Sequence, residues 1–532
     1  MSTLRPLAYG AALSAALAAG PRLPAQSPRY DLVLSGGTVV DGTGRAGTVQ
    51  DVAVKDGRIA AVGRVPASQA AAVIDAKGLV IAPGFIDVHT HADGLADRPA
   101  AANFVRMGVT TVVAGNCGSS ALDVGAALAA LRDHPAAINF ATLIGHNTVR
   151  SAVMGSDNRP PRPAELARMR SLVWKAMADG AIGFSTGLQY VPGTYAGVPE
   201  IVELARVAAN AGGIYASHMR DEGTALEQSI AETIKVGEMT GARVEISHLK
   251  VDSPNRWGAS QKALSLIDAA RQRGVDVRAD QYAYTAASST LGIRFPSWVL
   301  EGGQAKIAER LNTPQTWERI KGEMAAMLAA RGLPDLAFAT VAAYSPDASL
   351  NGLSMKQVAM RRRHSESADA QFEAAREMLL EGGASMVYHL MSDEDVDRIM
   401  RHPQVAMASD ASVLAWGDGA PHPRGYGNTA RVLGTYTRVR HVLTMEEAVR
   451  KMTSLPAGHF KLAGRGVIRP GYAADLVVFD RATVADTATF EAPHAYPAGI
   501  AYVVVNGVVV VRNGVQTDAR PGQVIANSLI AR

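Results

Sequence analysis

Eight side chains of metal-binding type occupy comparable places in this sequence. His89 and His91 close the apolar run FIDVHTH, Cys117 lies at the end of TTVVAGNCG and His146 at the end of INFATLIGH. His218 falls in IYASHMR, His248 in VEISHLK, Asp280 in VRADQYAYT, and Asp410 ends VAMASD. Imidazole, thiolate and carboxylate together are the ligand set for zinc or a similar metal. A single histidine in such a run is most often a satisfied core residue. Five of them, with the chain's one cysteine and two aspartates, are hard to explain that way. His89-Thr90-His91 strengthens the reading, because side chains two apart share one face of a strand, and the motif is preceded by PGFID and followed by Asp93.

Something must hold these residues at one place. The eight runs, at 85–91, 110–118, 138–146, 181–187, 214–220, 244–250, 277–285 and 405–410, read as strands, most of them followed by helical sequence such as IVELARVAANAG and QKALSLIDAARQRG. Eight βα units in series predict a closed (β/α)8 TIM-like barrel, in which the C-terminal strand ends converge on one mouth. The gap from 285 to 405 is too long for one crossover and predicts an inserted subdomain, at about residues 290–395, over that mouth. Val- and Ile-rich segments broken at Gly-Gly, Asp-Gly and Lys-Gly fill residues 30–82, and the style returns in GYAADLVVFD and GIAYVVVNGVVVVRNG. Both chain ends are therefore expected to build one small β domain, a β-sandwich, from residues 26–84 and 466–532, with the hydrolase-type barrel at 85–465.

The remaining arithmetic mostly excludes. The 532 residues carry 53 Lys+Arg against 49 Asp+Glu, a net +4 with no like-charge blocks, so nucleic acid is not an expected partner. One cysteine permits neither an internal disulfide nor a cysteine-rich metal cluster. Residues 1–25 place Arg5 before an Ala/Leu-rich run from Leu7 to Ala19 and end on small residues near Ala25, the layout of an export signal to a periplasmic or secreted destination. That run is shorter than the roughly 20 residues of a membrane span, and none is expected after signal removal. Gly42–Gly47 fits GxGxxG but is followed by another strand rather than a helix, so it reads as a hairpin turn. Gly183–Gly187 fits GxSxG but also lacks the helix that a nucleophile elbow needs.

These motifs together resemble the amidohydrolase superfamily and, within it, the N-acyl-D-amino-acid deacylases (D-aminoacylases). The resemblance covers nearly the whole chain after residue 29, through PGFIDVHTHAD, GVTTVVAGNCG, GFSTGLQYVPG, YASHMRDEG, EISHLK, MASDA, HPRGYG and GVIRPGYAADLVVFD. It implies that Cys117 takes the bridging role filled in many superfamily members by a carbamylated lysine, with His218 and His248 completing a tight zinc site. His89, His91 and Asp410 would frame a second, weaker one. Zinc makes water a nucleophile near neutral pH, and Asp410 is the expected general base. The implied substrate is a small N-acyl amino acid, the D configuration resting on the resemblance alone.

Lys250, two residues past His248, is a candidate partner for a free substrate carboxylate, and otherwise a surface lysine. The resemblance adds Tyr190, Tyr282 and Ser288 to the substrate-binding set; the tyrosines would otherwise be core residues. Arg150, His422 and Arg424 are further candidates to meet an anion. Arg294 departs from the apolar residue common in the family: facing the pocket it would favour acidic or polar substrate side chains, and facing solvent it would mean nothing. Two other readings stay open, namely another amidohydrolase reaction (cyclic amide, dipeptide or lactone hydrolysis) and a catalytically silent binding protein.

Overall fold

The structure is a computed structural model that describes residues 1–2 and 29–527, so the expected signal segment lies outside the described residues apart from its first two positions. Eight parallel strands follow one another: β1 (Phe85–Asp87), β2 (Val109–Ala114), β3 (Asn139–Thr142), β4 (Gly183–Gly187), β5 (Ile214–His218), β6 (Arg243–Ile246), β7 (Val277–Gln281) and β8 (Val405–Met407). They are buried on both faces, as a parallel sheet requires, which is why they read as apolar runs rather than alternating ones. β1 pairs with β2 and β2 with β3; the short extension Ile144–Gly145 hands the ladder on to β4, and it continues through to β8. Closure comes from the residues beyond β1 and β8: Thr90 and His91 pair in parallel with Ala411 and Ser412, and the Asp410 N–H donates to the His89 carbonyl at 2.8 Å. The step that shuts the barrel thus sets two expected metal-site residues side by side.

The outer helices are amphipathic by sequence. Val198–Asn210 has Pro199 in its first turn and buries Ile201, Val202, Leu204, Ala205 and Ala208 against the barrel. The expected (β/α)8 barrel is the fold observed.

The two chain ends do form one β domain. Leu476–Phe479 lies antiparallel to Val80–Pro83, joining C-terminal to N-terminal strands in a nine-stranded sheet. This sheet curls over itself. The turns at Asp56-Gly57 and Asn506-Gly507 belong to strands far apart in the ladder, yet a Cβ on Gly507 would come 2.8 Å from the Gly57 Cα. Leu32, Leu34, Val54, Leu476, Val478 and Val504 share the core enclosed by this curl.

Between β7 and β8 the insert builds its own sheet, Ala286–Thr290, Ser385–His389 and Ala339–Ala343, antiparallel throughout and covered by helices including Gln304–Asn312, Pro314–Ala330 and Ala368–Leu380. It has a separate core around Trp317, Ile320, Met324, Met378 and Met386. Arg331 clamps it to the barrel, donating to Asp252 Oδ1 at 2.5 Å and to Asp221 Oδ2 at 2.9 Å on the loops after β6 and β5. No helix among the described residues is long and apolar enough to cross a membrane.

Candidate metal centre and substrate cavity

The strands end earlier than their apolar runs suggest, and the backbone then turns sharply. β2 stops at Ala114, three residues before Cys117, and β6 stops at Ile246, two before His248. Cys117 (φ 52°), His248 (φ 34°) and Asp410 (φ 53°) all adopt left-handed backbone that non-glycine residues seldom take, at a cost of about 1–2 kcal/mol each. Such strain is tolerated where surrounding structure fixes it, commonly at functional sites. Here it swings three donor side chains into the mouth after the pleat has ended. Gly187 permits the approach on one side: a Cβ there would sit 2.0 Å from the Cys117 carbonyl oxygen. Ser185, the central residue of the GxSxG match, accepts the Gly118 N–H at 3.0 Å and donates to the Gly115 carbonyl at 2.5 Å, so it holds this loop and is no nucleophile.

The donors converge. His89 Nε2 lies 3.3 Å from Cys117 Sγ, which lies 3.5 Å from His248 Nε2. His89 Nε2 is also 3.6 Å, and His91 Nε2 3.2 Å, from Asp410 Oδ1. The donor atoms of His89, Cys117 and His248 all lie within 4.8 Å of one another, as do those of His89, His91 and Asp410, and those of His218, Glu222 and His248. A tetrahedral ion with bonds of about 2.0–2.3 Å sets its donors about 3.3–3.6 Å apart, so the spacing around Cys117 fits a zinc-sized ion. The first two triads share His89, and the first and third share His248. His218 faces Cys117 too, while its Nε2 lies 2.9 Å from Gln189 Oε1 and its Nδ1 3.4 Å from the Tyr190 hydroxyl.

The electrostatics suit a cation. Burial alone would raise the Cys117 thiol, but His89 and His248 outweigh it and hold it well below the usual thiol range. Burial likewise opposes ionisation of Asp410, and Arg424 with His91 and His89 overrides it, so this carboxyl sits well below the ordinary range. Arg424 Nη1 is 2.9 Å from Asp410 Oδ2. Outside the donors stand two carboxylates that hold imidazoles in place, as second partners of metal-bound histidines do. Asp280 Oδ2 is 3.3 Å from His89 Nδ1, and Glu222 Oε1 is 2.9 Å from His248 Nδ1. Glu222 was missed by the sequence reading; it lies on a loop four residues past His218, where neither strand period nor ligand spacing marks it.

Above this cluster opens a cavity of about 1350 Å³ between barrel and insert, lined by Cys117, His91, His218, His248 and Asp410. The four expected substrate-binding residues line it as well, with different occupations. Lys250 is buried rather than at the surface and already donates to Glu222 Oε1 at 2.7 Å. Tyr282 is packed between the Arg424 guanidinium, 4.5 Å from its ring centroid, and Lys250, at 5.8 Å. The Tyr190 hydroxyl is met by Ser289 at 3.1 Å, whereas the neighbouring Ser288 hydroxyl donates to the Met386 carbonyl. Arg150 and His146 do not reach the cavity: both bind Glu200 Oε1, at 3.0 and 2.9 Å, in a buried knot between two helices. His422 is locked as a neutral ring, donating from Nε2 to the Ala286 carbonyl and accepting the Arg424 N–H at Nδ1.

Arg294 faces the cavity. It is 6% exposed, stacked 4.1 Å over Tyr388, and its Nε has no acceptor among the described residues.

Residues 72–511 match the amidohydrolase family. A D-aminoacylase of Alcaligenes xylosoxydans xylosoxydans is 39% identical over 526 residues, covering 94% of this chain and 99% of that one. The chain belongs to the amidohydrolase family, in its D-aminoacylase branch. Among solved amidohydrolases, the N-acyl-D-glutamate deacylase of Bordetella bronchiseptica, complexed with zinc and a phosphonate mimic of the tetrahedral intermediate, superposes with a TM-score of 0.80 at 36% identity over 94% of this chain and all of that one. A D-aminoacylase with a binuclear metal center, activated by one metal and attenuated by a second, gives 0.80 at 37% identity, over 93% and 99%.

Proposed function

We propose that this amidohydrolase is a zinc-dependent deacylase that hydrolyses the amide of N-acyl-D-amino acids with an acidic side chain, releasing a carboxylic acid and the free D-amino acid. The reading is carried by one juxtaposition: a convergent set of thiolate, imidazole and carboxylate donors at the floor of a cavity whose wall bears the buried Arg294 guanidinium, its Nε without an acceptor among the described residues. In this proposal Cys117, His218 and His248 hold the tight ion, and His89, His91 and Asp410 frame a second, weaker position. A divalent ion there supplies Lewis-acid chemistry, polarising the amide and bringing the pKa of water down to about 7.

The chain's own groups do the rest. Asp410, kept ionised by Arg424, takes the proton of the attacking water and returns it to the leaving nitrogen. The Tyr190 hydroxyl keeps its proton, because burial pushes its pKa well up and the charge of Cys117 adds to this, and it is available as a donor in the cavity. Lys250 and Arg424 give the floor its cationic character toward the α-carboxylate, each partly neutralised by its own acid. Arg294 Nε meets no acceptor among the described residues, which supports a second carboxylate on the substrate. A linear substrate with free carboxylates uses all three cations; a neutral cyclic amide uses none. Residues 1–25 belong to the proposal as an export signal, supported by Arg5 and the apolar run that follows it.

The test is turnover, on protein of measured metal content, of N-acetyl-D-glutamate, N-acetyl-D-aspartate, N-acetyl-D-leucine and their L enantiomers. Cleavage of the D acids well above their enantiomers is expected. Inactivity on every D substrate with zinc bound would sink the deacylase reading.

A further inference from the structure

The cavity is larger than an N-acetyl amino acid needs. Its volume of about 1350 Å³ exceeds the roughly 300–1,000 Å³ that enclose a whole drug-sized ligand, and an N-acetyl amino acid is smaller than such a ligand. The cations that serve carboxylates do not encircle it. Lys250 and Arg424 flank the Tyr282 ring on the segments that follow β6, β7 and β8, and Arg294 lies on the insert against Tyr388. In an eight-stranded barrel β4 stands across the mouth from β8, so the space beyond the donors and away from Arg424 belongs to the loops after β4 and β5.

Apolar side chains gather there. Val191 and Pro192 follow Tyr190 on the loop after β4 and line the cavity. The Tyr195 hydroxyl of the same loop donates to the Ser297 carbonyl at 2.7 Å, which seats the turn Ser297–Leu300 of the insert over it. Ile293, Trp298 and Leu300 are partly buried against the insert core and turn their remaining surface to the cavity. On the helix Pro314–Ala330, Arg319, Glu323 and Met327 recur every fourth residue, along a face that Arg331 continues. Arg319 stacks 4.4 Å over the Trp298 ring, Trp298 Nε1 donates to Glu323 Oε2 at 2.7 Å, and Arg331 holds the loops after β5 and β6. Met327 stands between these polar anchors, lines the cavity and is 37% exposed. Apolar surface left open in a cleft marks a binding region, because covering it is favourable.

We propose that this wall is an acyl-chain subsite, and that the enzyme takes N-acyl-D-amino acids whose acyl group is an alkyl chain of medium length, such as octanoyl. The inference rests on the deacylase reading above. With the α-carboxylate at Lys250 and Arg424 and the scissile amide over the donors, the acyl chain is the part of the substrate that continues toward β4. Its length is what can fill the remaining volume. Water adds to the amide carbon and the C–N bond breaks as before, so the products are an alkanoic acid and the free D-amino acid.

The test is kcat/KM of the zinc-loaded enzyme for N-acetyl-, N-butanoyl- and N-octanoyl-D-glutamate. Full burial of a methylene is worth about fourfold. In a cleft open on one side about twofold is expected, so octanoyl should exceed acetyl by about 60-fold over the about six added methylenes. Leu300→Gln combined with Met327→Gln keeps side-chain length but makes the wall polar, and should cut the octanoyl-to-acetyl ratio at least about tenfold. A flat or falling series, with the acetyl compound cleaved, would overturn the subsite and leave the deacylase reading standing. An unchanged ratio in the double variant would overturn its assignment to this wall. No cleavage of any D-glutamate derivative, whatever its chain, would sink the deacylase reading and the subsite with it. If the double variant does not fold, Met327→Gln alone, at an exposed helical position, and the wild-type series decide.

Discussion

Arg294→Leu tests the acidic-substrate reading most directly. The guanidinium is 6% exposed and stands over the Tyr388 ring at 4.1 Å and the Phe338 ring at 5.4 Å. Cation–π attraction returns about 1–2 kcal/mol to such a group, less than the several kcal/mol that taking an ion out of water costs. A substrate carboxylate entering the cavity supplies the balance. Removing one member of a desolvated charge pair costs about 2–5 kcal/mol; the cavity is open on one side, so about 2–4 kcal/mol is appropriate. At about 1.4 kcal/mol per decade, kcat/KM for N-acetyl-D-glutamate should fall about 30- to 1000-fold. N-acetyl-D-leucine should hold or improve, since a buried charge has been exchanged for hydrocarbon against the same aromatic wall. Arg294→Lys keeps the charge but loses the planar fork, and should fall between the two. The assay is steady-state kinetics on both substrates for wild type and both variants, with thermal midpoints as a control on folding. Parallel losses on the two substrates would refute the reasoning by making Arg294 a support of the insert, and so would a wild-type preference for D-leucine over D-glutamate derivatives.

Asp410→Asn should keep zinc and lose at least about 100-fold in kcat, whereas Cys117→Ala should lose both; metal analysis beside kinetics distinguishes them, and an active D410N protein would exclude Asp410 as base. Arg331→Ala leaves Asp221 and Asp252 without their cation, and should lower stability by about 3–5 kcal/mol and raise KM as the insert bearing Arg294 loosens, read by denaturant unfolding and kinetics. Burial pushes the Lys451 amine down to about 7, where it donates to the His402 and Val405 carbonyls far from the cavity. With the folded pKa below the unfolded one, the unfolded chain binds the extra proton between pH 7 and about 10.4, so this group's contribution to stability rises with pH over that window by up to about 1.4 kcal/mol per unit. Lys451→Met should lack that rise, so its melting temperature relative to wild type should drop steadily as pH is raised from 7; a constant gap would refute the shift.

What was legible in the sequence was the order and identity of the strands, because a parallel barrel buries both faces of each strand and so writes Val- and Ile-rich runs into the chain. Period-two reasoning also located His89 and His91. It worked less well just past the strand ends. Alternation alone would put Lys250 on the face of His248, but β6 has stopped by then and His248 has a positive φ; the two side chains meet through a turn, and through Glu222, which no period announces. Arg150 looked free to bind an anion because its partner Glu200 lies 50 residues ahead on another helix, at no spacing a motif can contain. Arg294 is the opposite case: the sequence supplied both alternatives, pocket or solvent, and only the packing of the insert over Tyr388 chose between them. Chemistry written within a strand could be read from residue type and period, whereas chemistry assembled between strands required the register that closes the barrel.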